Sequence, residues 1–389
     1  MVETKRTVGV RTIIRSGIWE YEKTRALPPH IRKAARRIFK CKTQALGQHV
    51  YRCENGHEHA RWNSCRHRSC PDCAWPAKKR WLTKTEGRII HCPHHHIIFT
   101  FASELNDLWL ANPVEMKRLL FKAVKATLIE FFGDEQYCGA MPGVIAVLHT
   151  WGRALPLHPH LHCIVTSGGV DADGKWRGPR RKSALPIPPF AVSALFKGKL
   201  LAAIRRGLDK QRLQLPEGCT LDAMKNLIAS AYDKKWSVFV GRAGTRVQTI
   251  INYLGRYVCG GPIGNGRIMK CANGIVTFMH RNYRAKDALG RPMEQPMTLT
   301  THEFLRRWFL HVPLPYSKLV RSFGIYSPSY KGERPAHVQE HYDNEGQADE
   351  TPSASRDVMK CSECGAPLKL VCLTFPNRRD RGPPLGRLG

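Results

Sequence analysis

Within "LPLHPHLHCIVTSGG", residues 155–169, three histidines fall in five positions, His158, His160 and His162, and the chain then turns apolar. Alternate residues of a strand share a face, roughly 7 Å apart. His160 and His162 can therefore converge on one ion while Leu161 enters the core. Two imidazoles leave coordination positions open, which a catalytic metal needs in order to meet a phosphate oxygen. A third ligand would come from His149 on a paired strand, from His158, or from Gln248 on a later helix.

The second chemical pair is Tyr253 and Tyr257, in "TRVQTIINYLGRYV". Four residues apart on a helix, their hydroxyls would lie about 40° apart around the axis and about 6 Å along it, on one face. Phenol has a pKa of about 10, so it is a poor nucleophile at neutrality unless a nearby cation favours phenolate and draws charge from the phosphorus under attack. Each pair alone has an ordinary structural use, as packed histidines or aromatic core. Together on a cationic chain they suit phosphodiester chemistry, because a phosphotyrosine preserves the energy of the broken bond for rejoining without ATP.

A third constellation is "YRCENGHEHARWNSCRHRSCPDC", which gathers Cys53, His57, His59, Cys65, Cys70 and Cys73. Thiolates and imidazoles suit Zn²⁺, and the Cys70-Pro71-Asp72-Cys73 turn aims two sulfurs at one point, so a tetrahedral structural zinc site is expected. Cys53 and His57 would form its first half and Cys70 and Cys73 its second, with Cys65 or His59 able to displace one member. Around it stand Trp62, Arg66, Arg68, Trp75, Lys78, Lys79, Arg80 and Trp81. Bases stack on such aromatics while cations hold phosphates; packing against the zinc module is the competing use of each tryptophan. Cys41, Cys138, Cys163, Cys219, Cys259 and Cys271 occur singly and read as small core hydrophobes. Near the end, Cys361, Cys364 and Cys372 supply three thiols, one short of a zinc set unless a histidine or a second chain contributes.

The elements that must position these groups follow from periodicity. "PPHIRKAARRIFK", residues 28–40, places Ile31, Ala34, Ala35 and Ile38 at helical spacing with Arg36, Arg37 and other cations opposite, a basic amphipathic helix. Residues 94–101, 143–151, 160–169 and 236–241 read as strands, and 113–132, 190–207, 220–231 and 245–258 as helices, the last ending at Gly260-Gly261. A β pair over 267–284 turns at Asn273-Gly274, and a short helix follows at 301–312. The assembly expected is an α+β sandwich with an antiparallel central sheet flanked by helices. Its divisions would be a basic helix and zinc module at 1–86, a catalytic domain at 87–285, a helical extension at 286–330, and a linker, knuckle and basic tail from 331 to 389.

Lys and Arg number 62 against 31 acidic residues, a net charge of +31. That surplus calls for a polyanion, most simply nucleic acid, with a membrane surface as the lesser alternative. Fourteen cysteines without a secretory signal point to thiols used for metal rather than disulfides, and no apolar run is long enough for a membrane span. A soluble intracellular protein is expected.

The joint occurrence of "HPHLH" (158–162), "YLGRY" (253–257) and "SCRHRSCPDC" (64–73) resembles the HUH-type two-tyrosine rolling-circle transposases of bacterial insertion sequences, the insertion sequence ninety-one family. "FTFASEL" (99–105), "VLHTWGRALPLHPHLHCIV" (147–165) and "PIGNGRI" (262–268) add to the likeness, which runs over roughly residues 28–325. The resemblance implies a sheet of HUH endonuclease type, His160 and His162 as ligands of Mg²⁺ or Mn²⁺, and Tyr253 and Tyr257 as nucleophiles. It also implies cleavage of single-stranded DNA at element ends through a 5′-phosphotyrosine, joining to target DNA, and a bacterial, cytoplasmic, nucleoid-associated setting. Arg256, between the tyrosines, joins Arg36, Arg37, Arg66, Arg68, Lys78, Lys79, Arg80 and Trp81 as expected DNA contacts. One departure is visible. Where many members carry a Cys-x-x-Cys first knuckle, this chain has Gly56 and offers His57 or His59. A replication initiator or relaxase would use the same chemistry, and a non-enzymatic zinc protein binding nucleic acid would use the histidines structurally.

Overall fold

The computed structural model describes residues 8–180, 188–241, 251–252, 255, 258–333 and 359–375, the side chains of 283 and 284 excepted. They fall into two compact units. One is drawn from Met1–Ala77, Cys259–Pro315 and Gln339–Gly389, the other from Lys78–Val258 and Tyr316–Val338. The units are thus discontinuous in sequence, whereas the reading above divides the chain into consecutive segments at 86, 285 and 330.

The second unit is built on an antiparallel sheet whose strands run Val320–Gly324, Met141–Trp151, Leu157–Val170, His94–Thr100 and Val238–Val240 across it. Trp176–Arg177 pairs with the far end of Leu157–Val170. The two long central strands are apolar on both faces because both faces are covered. On one, Phe99, Val144, Ala146, Leu148, Leu161 and Cys163 join a core with residues of the Pro113–Gly133 and Pro189–Asp209 helices, among them Leu120, Val124, Phe196 and Leu200. On the other, Ile145, Val147 and Ile164 form a smaller cluster with Leu82, Ile90, Ile251 and Tyr326. Gly324 (φ +56°) is required at the outer pairing, since a Cβ there would stand 1.8 Å from the Pro142 carbonyl oxygen.

In the first unit, Val10–Thr24 buries Val10, Ile13, Ile14, Ile18 and Tyr21, an i, i+3, i+4 stripe. Gly17 lets the Thr301–Phe309 helix approach: a Cβ would meet Thr301 Cγ2 at 2.2 Å. Pro29–Phe39 buries Ala34, Ala35 and Ile38 and exposes Arg36 and Arg37, as its pattern predicts. Ile268–Ala272 and Ile275–Lys286 pair across Asn273-Gly274, both at positive φ, with Pro292–Thr300 as the third strand. A second three-stranded sheet sets Gln48–Arg52 between Glu58–Trp62 and the C-terminal Lys369–Leu373.

Most of the expected helix 245–258, with Gln248, Tyr253, Arg256 and Tyr257, lies outside the described residues, as does most of the expected linker 331–359. Ile251, Asn252, Gly255 and Val258 are helical.

Candidate metal centres and nucleic-acid surface

His149, His160 and His162 come together, each offering one ring nitrogen, with all three ligand atoms within 4.8 Å of one another. Strand pairing does this. His149 stands directly across from His160, and His162 lies two residues further along the same face. His158, a candidate third ligand, is outside this group; its carbonyl instead accepts the His160 Nδ1–H at 2.6 Å. That bond fixes the tautomer, leaving the Nε2 lone pair of His160 to coordinate. His162 is oriented likewise, its Nδ1 lying 2.9 Å from Nε2 of His96 on the adjacent strand.

The two Nε2 atoms of His160 and His162 are 3.0 Å apart. Three convergent imidazoles make a donor set that could hold a metal ion. Burial keeps the imidazoles neutral and their lone pairs available: it pushes His160 down to about 4 and, with the charge of neighbouring histidines, His162 down to about 2. His149 is lowered well below the ordinary value, again by burial first.

The zinc site differs from the expected set. Cys41, Cys65, Cys70 and Cys73 converge, their sulfurs within 4.8 Å of one another and those of Cys65 and Cys73 3.6 Å apart. Thiolates about 2.3 Å from a tetrahedral zinc stand about 3.8 Å apart, so this cluster of four cysteines is a structural zinc site. Cys41, expected as a core hydrophobe, is a ligand; Cys53 and His57, expected as ligands here, belong elsewhere. The reason is chain geometry. The knuckle at 65–73 folds back on the end of the Pro29–Phe39 helix, where the Cys65 amide donates to Cys41 Sγ at 3.5 Å. Gly261 (φ +75°) then packs on the knuckle, where a Cβ would meet the Ser69 carbonyl oxygen at 2.7 Å. Cys70→Ser should release this zinc and melt the first unit, because such an ion supplies about 10 kcal/mol or more of folding free energy. Zinc content and far-ultraviolet circular dichroism check this; a folded unit that keeps its zinc would refute it.

Around this knuckle the surface is cationic. His67 is pushed down to about 4 by burial and then by the charges of Arg37, Arg68 and Lys33, so these cations gather at one place. Arg36 and Arg66 are exposed, and so are Trp62 and Trp75. In the other unit Lys79 and Arg80 are exposed. Trp81, expected as a base-stacking residue, is half-buried against the cluster of Leu82, Ile90 and Ile145, and Lys78 is also only partly exposed. No described helix is long and apolar enough to cross a membrane.

Sequence reasoning missed Cys41, because it lies 24 residues before Cys65, and it read the His94–Thr100 strand for its apolar pattern without noticing that His96 faces His162. Comparison with known proteins agrees with the site. A family model described as "putative transposase" matches residues 143–334, and one described as "transposase zinc-binding domain" matches 13–101. The chain is 31% identical over 329 residues to "Putative transposase y4qJ" of Sinorhizobium fredii, covering 82% of this chain and 81% of that one. It is 28% identical over 298 residues to "Transposase for insertion sequence element IS801" of Pseudomonas savastanoi pv. phaseolicola, covering 74% and 68% respectively.

Proposed function

Because this chain belongs to the IS91/IS801 family of transposases, we propose that it cuts one DNA strand at the ends of its element through a 5′-phosphotyrosine on Tyr253 or Tyr257. It then rejoins that end to a target strand, the reaction of rolling-circle transposition. The observation that carries this reading is the common face of the sheet. His149, His160 and His162 share it with Ile145, Val147 and Ile164, and Ile251 belongs to the cluster those apolar residues form, with Val258 packed against it. That Ile251 and Val258, which flank the tyrosine pair in sequence, join this cluster supports the reading.

His149, His160 and His162 would hold Mg²⁺ or Mn²⁺, which when bound polarises the scissile phosphate and neutralises charge developing on it. The phenolate oxygen of one tyrosine attacks phosphorus, the bond from phosphorus to the 3′ oxygen breaks, and that oxygen leaves as a 3′-hydroxyl after taking a proton. A 3′-hydroxyl of the target strand reverses the step and frees the tyrosine. Two tyrosines allow two transfers at one site. Arg36, Arg37, Arg66 and Arg68 in one unit and Lys78, Lys79 and Arg80 in the other, with Arg256 between the tyrosines in sequence, would contact DNA phosphates, and the exposed Trp62 and Trp75 would stack on bases.

The test uses single-stranded DNA carrying an element end, labelled 3′ to the cut, incubated with Mn²⁺ and run on a denaturing gel. Wild type should retain label covalently, and Tyr253→Phe with Tyr257→Phe should not. An adduct that survives the double change would refute the nucleophile assignment.

A further inference from the structure

Cys53 and His57 are left over from the four-cysteine site, and Cys361 and Cys364 have no role in the chemistry above. The structure brings the four together: Cys53, His57, Cys361 and Cys364 each present one ligand atom within 4.8 Å of the others. We propose that these four residues bind a second structural zinc ion, which closes a zinc ribbon whose two halves come from opposite ends of the chain.

The spacing is that of coordination. Around a tetrahedral zinc, two thiolate sulfurs stand about 3.8 Å apart and a sulfur and an imidazole nitrogen about 3.6 Å. Cys53 Sγ and Cys364 Sγ are 3.7 Å apart, Cys53 Sγ and His57 Nδ1 3.5 Å, and Cys361 Sγ and His57 Nδ1 3.7 Å. His57 would ligate through Nδ1, which leaves its Nε2 facing the exposed Glu363 carboxylate, 3.6 Å away. His59 is the competing ligand. Its Nε2 is 3.0 Å from Cys361 Sγ, a hydrogen-bond distance, and it lies outside the set of four convergent ligand atoms.

The backbone is shaped for the same purpose. In the first knuckle the Gly56 amide donates to the Cys53 carbonyl at 3.1 Å, and in the second the Gly365 amide donates to the Cys361 carbonyl at 2.9 Å. Gly56 and Gly365 both hold positive φ, 82° and 73°. Each knuckle adjoins the sheet in which Lys369–Leu373 pairs with Gln48–Arg52, so metal and strand pairing join the same two segments. The surroundings supply little else. Every residue of the Lys369–Leu373 strand is exposed, and a strand so poor in buried contacts needs another source of free energy to stay paired. His57 also accounts for the knuckle that has Gly56: it provides the fourth donor from the next position.

The proposal is tested on the full chain by counting zinc with plasma mass spectrometry after exhaustive dialysis. Cys361→Ser with Cys364→Ser should lose one zinc per chain relative to wild type, and Cys372→Ser, on the adjoining Lys369–Leu373 strand but outside the set, should lose none. A second variant guards against simple unfolding. His57→Cys, reconstituted with Co²⁺, should keep the wild-type stoichiometry and move the visible cobalt bands to lower energy as one nitrogen ligand becomes sulfur. An unchanged zinc count in the Cys361/Cys364 variant, or a cobalt spectrum indifferent to His57→Cys, overturns the proposal.

Discussion

Replacing His160 by alanine should lower single-strand cleavage by about 10³-fold or more, because it removes a ligand from an ion asked to supply several kcal/mol of charge stabilisation in the transition state. His160 is set within the histidine group by strand register and by its Nδ1 bond to the His158 carbonyl. His96→Ala should behave differently. It removes the ring 2.9 Å from His162 Nδ1 but no ligand, so metal affinity should fall by about 10-fold to 100-fold while the rate at saturating Mn²⁺ largely recovers. Single-turnover cleavage against Mn²⁺ concentration separates the two. Recovery of His160→Ala at high Mn²⁺, or a His96→Ala defect that metal cannot relieve, would contradict these roles.

Acid should destabilise the sheet-bearing unit, and His94 is the clearest reason. The Ile90 amide donates to the Tyr326 hydroxyl at 3.1 Å, that hydroxyl lies 2.8 Å from His94 Nε2, and His94 Nδ1 lies 2.7 Å from the Cys92 carbonyl oxygen. The chain of donors closes only with neutral His94: Nδ1–H donates to Cys92, and the phenol donates to Nε2. Burial holds His94 down to about 4 from its ordinary value of 6.5. Between those values the unfolded chain binds the extra proton, so stability rises with pH there and is lost as pH falls from 6.5 toward 4. Full loss amounts to roughly 3 kcal/mol from this residue. Half-buried His96, also held at about 4 by burial, acts in the same direction. Urea midpoints at pH 7 and pH 5, followed by tryptophan fluorescence without divalent metal, should fall with acid, and less steeply in His94→Gln. Equal pH slopes in the two proteins would remove His94 as a cause.

What could be read in the sequence is what local periodicity encodes. The strands at 94–100, 141–151 and 157–170 are apolar runs between breakers, and the register that places His149 opposite His160 follows once the last two pair as a hairpin. Asn273-Gly274 marks its turn because those two residues tolerate positive φ. The Val10–Thr24 helix has a legible stripe, which the reading above leaves unassigned. Other elements resist such reading for physical reasons. Pro292–Thr300 carries Pro292 and Pro296, which argue against a strand unless it lies at a sheet edge, where this one does. Lys369–Leu373 is short and exposed, and its meaning resides wholly in a partner strand more than 300 residues earlier. The corrections at Cys41, Cys53 and His57 have the same origin: ligand sets are chosen by three-dimensional convergence, and sequence proximity favours Cys53 and His57 over Cys41 as partners of Cys70 and Cys73.

The pairing of Gln48–Arg52 with Lys369–Leu373 has a bearing on synthesis. A ribosome delivers the N-terminal hairpin long before the strand that completes its sheet, and elongation at about 5–20 residues per second separates the two by roughly 15 to 60 seconds. During that interval the nascent chain presents an open hairpin edge. A message truncated before the codons for the late strand would yield a polypeptide that retains this defect, so translation through that strand is itself a condition for a finished fold.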